Sequence, residues 1–232
     1  MKLAISTKRF AWIQYTIVIS LLLTSTVMYL IRHFTGHQNI YGLFRFFNVG
    51  SEANLPTYFS ALNLLLASCL LALVAGYKHA ESPKLAQYWI VLAWMFLYMS
   101  IDESAKIHDY FGRLYRAVGE PIPVFDSHHW LPIGIALSIL VAAFFVPFLL
   151  KIPRALALRL ILAGVIFLTG AIGFEFVGAL MLYTEYAVRG DLIYDLRRIG
   201  EEGCEMIGIA YFNVVLVREL TGTQLELAIE RG

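Results

Sequence analysis

The sequence contains little charge and little cysteine. Only 15% of its 232 residues are Asp, Glu, Lys or Arg, whereas typical soluble domains carry about 25%. The formal net charge is +1, so the chain lacks the basic surface by which a nucleic-acid-binding protein is recognised, and no nucleic-acid partner is predicted. Two cysteines, Cys69 and Cys204, are too few and too far apart to indicate a disulfide framework or a zinc ribbon.

The chain also lacks the short motifs of several enzyme classes. It contains no Walker loop, no dinucleotide-binding fingerprint, no Gly-x-Ser-x-Gly elbow and no His-Glu-x-x-His motif. Nothing therefore supports the nucleotide, serine-hydrolase or zinc-protease chemistries that depend on those motifs. Any function has to be sought in clusters of individual residues.

Long apolar runs dominate what is present. The sequence is 59% hydrophobic with a mean hydropathy of +0.69, and about 20 apolar residues are enough to cross a bilayer as a helix. We predict an all-α polytopic membrane protein, a bundle of six transmembrane helices forming one domain over residues 1–232. The predicted spans cover residues 10–32, 57–77, 85–108, 129–150, 157–183 and 201–217.

The basic residues predict the orientation of these spans. Six spans place both termini on the same side, together with the short turns at 78–84 and 151–154. The basic residues of these segments are Lys2, Lys8, Arg9, Lys78, Lys84, Lys151 and Arg154. Since short cytoplasmic loops are enriched in Lys and Arg, both termini are predicted to be cytoplasmic.

The acidic residues are distributed unevenly over this topology. Of the 17 acids, the predicted cytoplasmic side holds only Glu81, Glu219, Glu226 and Glu230. Asp and Glu contribute little to membrane topology, so insertion does not explain this skew. We expect the outer face to carry a function that requires acidic side chains.

Acids and a histidine from several predicted helices converge on that outer face. The candidates are Glu52 and Asn54 before the second helix, Asp102, Glu103 and His108 at the end of the third, Glu175 in the fifth, and Glu201, Glu202 and Glu205 in the sixth. Ionisable groups near membrane depth are costly, so each one is a functional hypothesis.

A divalent metal ion is one interpretation of this set, because helical bundles build metal sites from carboxylates and histidine. Carboxylates suit magnesium, calcium or manganese, and an imidazole also admits zinc or iron. The predicted ligands are Glu103, Glu175, Glu202 and Glu205. Glu103 and His108 are the predicted catalytic residues, and Glu52, Asn54 and Asp102 the predicted supporting residues.

Helix geometry limits how these side chains combine. Glu202 and Glu205 are three residues apart and share a helix face. Glu103 and His108 are five residues apart, which is about 140° around a regular helix. They can reach one point only if the third helix ends near Ser104.

Ion pairing is the alternative interpretation of several of these residues. Opposite charges stand four residues apart in Asp102–Lys106, Arg197–Glu201 and Arg198–Glu202. Each such pair contributes about 0.2–0.5 kcal/mol on a helix surface. Glu175 differs because no cation lies within a helical turn of it, so it favours a functional role.

The segment Asp126-Ser127-His128-His129 is a second cluster of metal-ligand residue types. It precedes Trp130 and the fourth predicted helix. A helix cap followed by interfacial histidines explains the same residues without a metal, and we favour that interpretation.

The pattern of these residues resembles a known group of proteins. It reads Glu52-x-Asn54-Leu55-Pro56-Thr57-x-Phe59-Ser60, Ser100-x-Asp102-Glu103-x4-His108, Glu175, and Glu201-Glu202-x2-Glu205-Met206-x-Gly208. It is similar to a widespread family of uncharacterised bacterial multi-pass membrane proteins, which implies a location in the bacterial inner membrane and no settled activity. A looser similarity is to the alkaline ceramidase-like membrane hydrolases, but their late-helix histidine pair is missing from the sixth predicted helix.

Three functions follow as hypotheses. The first is a metal-dependent membrane enzyme acting on a lipid or lipid-linked substrate, in which the metal polarises an oxygen or activates water and a spare carboxylate is the general base. The second is a proton- or cation-coupled transporter that uses the same acids as a relay; a broken helix would favour it. The third is an accessory subunit of a larger membrane complex. The predicted partners are accordingly membrane lipid and either a lipid-like substrate or a partner membrane subunit.

Overall fold

The structure, a computed structural model, describes residues 6–119 and 122–222, and within these ranges it is all-helical, as predicted. The helices are α1 (Thr7–Thr35), α2 (Leu43–Phe47), α3 (Leu55–Glu81), α4 (Pro83–Ala105), α5 (Ile107–Val118), α6 (Leu131–Leu149), α7 (Arg154–Leu168), α8 (Glu175–Tyr183) and α9 (Leu192–Gly222). A π-helical turn, Thr169–Phe174, joins α7 to α8, and 3₁₀ turns cover Ile40–Gly42 and Pro123–Phe125. Lys2, Glu226 and Glu230 of the predicted topology lie outside the described residues.

Five helical segments of the described chain have the length and composition of membrane spans. They are α1, α3, α4, α6 and the continuous run from α7 through α8, Arg154–Tyr183. Their exposed surfaces are largely apolar, as expected for helices surrounded by lipid. α9 is 31 residues long, but the acids in its first half make its mean hydropathy lower than that of the other five segments.

Local sequence signals set the ends of these helices. The Ser6 side chain caps α1 by accepting the Arg9 N–H, and Gly36 ends it with a left-handed φ of 71°. The Asn54 side chain accepts the Thr57 N–H at 3.1 Å and so caps α3, whose first turn contains Pro56. A polar cap with proline in the first turn is a standard helix start, and this boundary was correctly predicted to within two residues.

Several predicted boundaries were wrong. The third span was predicted to reach residue 108, but α4 ends at Ala105 because Lys106 adopts a left-handed φ of 54°. The segment between the third and fourth predicted spans, residues 109–128, contains most of α5. The fifth predicted span agrees with the continuous segment Arg154–Tyr183, within which Thr169–Phe174 is π-helical. The sixth helix begins at Leu192 instead of residue 201; charged residues of its first turns, such as Asp195 and Arg197, are buried in the bundle, and Arg197 pairs with Glu201.

The main hydrophobic core lies between α3, α4, α6, α7 and α9. Buried side chains such as Leu71 and Leu216 form its centre. Trp89 of α4 packs edge-on against Phe148 of α6, with ring centroids 5.0 Å apart. A smaller core, which includes Val18 of α1 and Met206 of α9, lies beside it. α9 therefore belongs to both cores.

α9 packs against α1, α3 and α7, and it is held by polar as well as apolar contacts. Its fully buried Asn213 donates to the Oδ1 of Asn63 on α3 at 2.8 Å. Gly208 lies so close to α7 that an added Cβ would stand 2.8 Å from the backbone N of Phe167. Small residues permit such close helix approach, and this approach brings the acids of α9 up to the π-helical turn.

Candidate functional site

Five carboxylates from three helices mark one end of the bundle, and we call them the carboxylate cluster. They are Glu103 of α4, Glu175 of α8, and Glu201, Glu202 and Glu205 of α9. The charge of Glu205 is within electrostatic range of all the others. The cluster brings the predicted ligand residues into one region together with Glu201, although their roles stay a prediction.

The break between α4 and α5 positions His108 beside this cluster. The Asp102 carboxylate accepts the backbone N–H of His108 at 2.7 Å and lies 3.1 Å from its Nδ1. An acid at this position satisfies a free N–H in the first turn of α5 and suits the helix dipole. Because α4 ends at Ala105, the imidazole of His108 lies within range of the charge of Glu103. The hydrogen bonds of His108 are nevertheless made with Asp102.

Two opposing effects act on the pKa of His108. Burial lowers it, but the hydrogen bond with Asp102 and the negative charges of Asp102, Asp109 and Glu103 raise it more, so the pKa lies above the ordinary 6.5. The imidazole is also packed against Trp130, with ring centroids 5.5 Å apart. Near neutral pH, His108 therefore retains a proton more readily than an isolated histidine.

Lys106 does not pair with Asp102, as the spacing predicted, but with Glu52. The left-handed turn at Lys106 carries its ammonium to the Glu52 carboxylate in the connection before α3. Both side chains are exposed, so Glu52 stabilises the α4–α5 break from outside the cluster. Asn54 is equally structural in its contacts: besides capping α3, its amide donates to the carbonyl of Asn48 at 2.7 Å.

Glu175 has two partners that sequence reasoning missed. His128 Nε2 lies 2.9 Å from one carboxylate oxygen of Glu175, and Trp130 Nε1 donates to the other oxygen at 3.3 Å. Ser127 Oγ lies 2.7 Å from His128 Nδ1 and orients the ring. The interpretation of His128 as an interfacial residue was therefore wrong. The available signal was Glu175 itself, since an acid without a local cation in an apolar helix needs a partner from elsewhere.

Arg197 ties the start of α9 to the π-helical turn. Its Nη1 lies 2.8 Å from Glu201 Oε2, which confirms the predicted pair, and donates to the carbonyl of Phe174 at 2.7 Å. A Cβ added at Gly178 would stand 2.6 Å from the guanidinium carbon, so α8 needs glycine there. A buried cation with this many partners fixes the register of α8 against α9.

The predicted pair Arg198–Glu202 was wrong. The Arg198 guanidinium instead packs on Gly50, where an added Cβ would lie 2.6 Å from it and 2.7 Å from the Tyr29 hydroxyl. Within the described residues, Glu202 consequently has no ion-pair partner, and the same holds for Glu103 and Glu205. These three half-buried acids are the unpaired members of the carboxylate cluster.

The π-helical turn lies directly against α9 at Glu201 and at the unpaired Glu205. A Cβ added at Gly170 would stand 2.5 Å from the carbonyl oxygen of Glu201 and 2.7 Å from Cγ of Glu205. A π-helical turn widens the helix and shifts its hydrogen bonding, and such turns are frequent at functional sites. The fifth apolar segment is thus irregular where it meets the cluster.

The arrangement lends no support to a metal centre. Among residues 6–119 and 122–222, no group of three or more His, Cys, Asp or Glu side chains is placed to hold a metal ion. Two of the five carboxylates are already engaged by His128 and Arg197, which leaves Glu103, Glu202 and Glu205 as the candidate ligands. What the site offers chemically is a set of mutually repelling acids that can bind protons or a cation.

A family model described as "Domain of unknown function (DUF8692)" matches residues 16–220. No curated protein and no solved structure matches the chain. An uncharacterised family agrees with the resemblance drawn from sequence, whereas the looser likeness to alkaline ceramidase-like hydrolases receives no support.

Proposed function

The chain belongs to the DUF8692 family, a domain of unknown function, and we propose from its own chemistry that it is a proton-coupled membrane transporter. Glu103, Glu202 and Glu205 bind and release the coupled protons. The observation that carries this proposal is the grouping of these three acids without ion-pair partners, of which Glu205 lies against the π-helical turn.

Protons are the ligand best suited to this grouping. Carboxylates close together without a cation partner lower their mutual repulsion by binding protons, and intramembrane acids commonly form proton relays. Glu202 is within electrostatic range of Glu103, Glu201 and Glu175, and Arg198 attracts it from beyond ion-pair distance. In this proposal Glu175 and Glu201 stay charged in their ion pairs, and the unpaired acids are the ones that bind and release protons.

A π-helical turn in a membrane helix is the second feature that supports transport. Such turns are frequent at functional sites, because they shift the backbone hydrogen bonds of an otherwise continuous helix. Here the irregular segment, Thr169–Phe174, contacts α9 at Glu201 and Glu205. The α4–α5 break at Lys106 lies on the Glu103 side of the same region.

The proposal includes a membrane topology. We take α9 as a sixth span, supported by its contacts with α1, α3 and α7. Both termini are then cytoplasmic, and the cluster opens to the outer side of a bacterial inner membrane. Lipid is the surrounding partner, supported by the apolar exposed faces of the five other spans.

Infrared titration of the purified protein in lipid tests proton binding. Protonated carboxyl groups in an apolar site give a C=O absorption that changes with pH. We expect this signal to be reduced in the double variant Glu202→Gln/Glu205→Gln and unchanged in the control Glu185→Gln, whose side chain is exposed after α8. An identical signal in all three proteins would refute proton binding at the cluster.

Proteoliposomes test the coupling itself. A pH-sensitive dye inside the vesicles reports proton uptake, and candidate solutes from a panel are added one at a time under an imposed pH gradient. Wild-type protein is expected to take up protons when the solute that it transports is present. Glu103→Gln is expected to abolish this uptake, while Glu185→Gln keeps it. Proton uptake that is equal in wild-type and Glu103→Gln vesicles would exclude this residue from the pathway.

A divalent-metal enzyme acting on a lipid is a second proposal for the same acids. The observation in its favour is that His108, which is held by Asp102, lies within electrostatic range of the unpaired Glu103, so that an imidazole and a carboxylate belong to the same site. The metal content of purified protein decides between the two proposals. A stoichiometric metal that is lost in Glu103→Ala and Glu205→Ala would favour the enzyme, and its absence from wild type would exclude it. A membrane subunit that co-purifies stoichiometrically would instead favour an accessory role.

A further inference from the structure

A separate polar cavity of about 240 Å³ lies where the end of α1 meets the start of α9. Its lining residues are Tyr29, Arg32, His33, Gly36, Gln38, Gly190 and Asp195. None of these belongs to the carboxylate cluster. The cavity therefore requires an explanation of its own.

The cavity contains opposite charges that do not neutralise each other. Asp195 is only 6% exposed, yet its carboxylate forms no hydrogen bond or ion pair with any described residue. The guanidinium of Arg32 lies over the Phe44 ring, 5.1 Å from its centroid, and is farther from Asp195 than the 4.0 Å limit of an ion pair. A buried carboxylate without a partner is costly, which indicates that a ligand group completes its contacts.

The charge arrangement selects the class of ligand. A simple anion would be attracted by Arg32 but repelled by Asp195, and a simple cation would meet the reverse. A molecule with both charges satisfies both residues. Arginine binds phosphate oxygens through two parallel N–H donors, whereas a buried carboxylate suits an ammonium group that can donate hydrogen bonds.

We propose that this cavity binds a phosphate–ammonium zwitterion of the phosphoethanolamine type. Arg32, with His33 beside it, holds the phosphate, and Asp195 accepts hydrogen bonds from the primary ammonium. Gly36 and Gly190 have left-handed φ values of 71° and 102°, and the absence of their side chains leaves the lining open. The volume suits a headgroup and not a whole lipid.

The position of the cavity favours the headgroup of a membrane phospholipid as the source. Arg32 lies in the last turn of α1, and the neighbouring Phe34, Tyr41 and Phe46 are exposed aromatic residues. Aromatic side chains are enriched at the level of lipid headgroups. A phospholipid in the outer leaflet can therefore place its headgroup in the cavity while its acyl chains stay in the bilayer.

The test is a binding comparison with purified full-length protein in detergent. The probes are short-chain phosphatidylethanolamine, phosphatidylcholine and phosphatidylglycerol, and the soluble compound glycerophosphoethanolamine. We expect phosphatidylethanolamine to bind at least roughly tenfold more tightly than the other two lipids, because only its ammonium donates hydrogen bonds to Asp195. Competition by glycerophosphoethanolamine would show that the headgroup alone suffices, and its failure would show that the acyl chains are needed; the site stands in both cases.

Variants then locate the preference. Asp195→Asn is expected to remove the discrimination between phosphatidylethanolamine and phosphatidylcholine, and Arg32→Gln to weaken binding of both. The control Arg45→Gln removes a charge from α2 without touching the cavity. Equal binding of the three lipids by the wild type, which needs no variant to fold, would overturn the proposal. Glu103→Gln should leave lipid binding unchanged, so this result is independent of the transport proposal.

Discussion

Replacing Gly170 with alanine tests how tightly the π-helical turn packs against α9. The added Cβ would lie 2.5 Å from the Glu201 carbonyl oxygen, where ordinary contacts begin at 3.4 Å. The blocking atom is backbone and cannot rotate away, so α9 or the turn has to move. Overpacking of this kind costs about 1–3 kcal/mol, which corresponds to a fall of roughly 2–10 °C in the unfolding temperature of a chain of this size.

Gly164→Ala is the matched control for this prediction. Gly164 lies on α7, six residues before Gly170. A Cβ added at Gly164 would meet no atom within 4 Å. Alanine should be neutral or stabilise the helix by up to about 1 kcal/mol. Both variants are compared with wild type by thermal unfolding in one detergent, followed by tryptophan fluorescence. If Gly170→Ala unfolds at the same temperature as Gly164→Ala, the close approach of the turn to α9 is wrong.

Two further predictions concern other contacts of the bundle. Asn213→Ala should lower the free energy of unfolding by about 1 kcal/mol, because it removes the buried hydrogen bond to Asn63. Interhelical polar contacts contribute about 0.6 kcal/mol on average and up to about 1.7 kcal/mol. An unchanged unfolding temperature would show that this contact contributes nothing. The pair His108–Asp102 should stabilise the protein at mildly acid pH, where His108 is protonated. A raised pKa means that the folded state binds the proton more tightly than the unfolded state, so this stabilisation is lost as the pH rises through the raised pKa of His108. The difference in unfolding temperature between wild type and His108→Gln should therefore shrink with rising pH, and a pH-independent difference would contradict the ion pair.

The sequence predicted those features that depend on composition and local signals. Long apolar runs identified the all-helical class, and Asn54 with Pro56 marked the start of α3. The breaks were harder to predict, because a left-handed Lys106 has no sequence signature comparable to glycine. The π-helical turn at Thr169–Phe174 likewise packs closely on α9, and such contacts between distant segments cannot be inferred from spacing.

The candidate site illustrates the same limit. The acids were identified because ionisable residues are conspicuous in apolar helices, and the pair Arg197–Glu201 follows from helical spacing alone. The partner of Glu175 could not be found in this way, because His128 belongs to a different helical connection and meets it only in the folded bundle. Likewise, Lys106 was assigned to Asp102 by regular-helix geometry, which the break removes.

The acids of α9 have a consequence for how the protein is assembled in the membrane. A carboxylate at the centre of an inserting helix adds about 2.5–3.5 kcal/mol to the free energy of entry from the translocon, so a helix with Glu201, Glu202 and Glu205 partitions poorly by itself. α9 is synthesised after α1, α3 and α7, the helices that it contacts. Those helices can therefore already be in place when α9 emerges, and Arg197 of α9 itself offsets the charge of Glu201. With α9 as the proposed sixth span, its membrane integration becomes a folding step that depends on the earlier spans, and not an independent insertion.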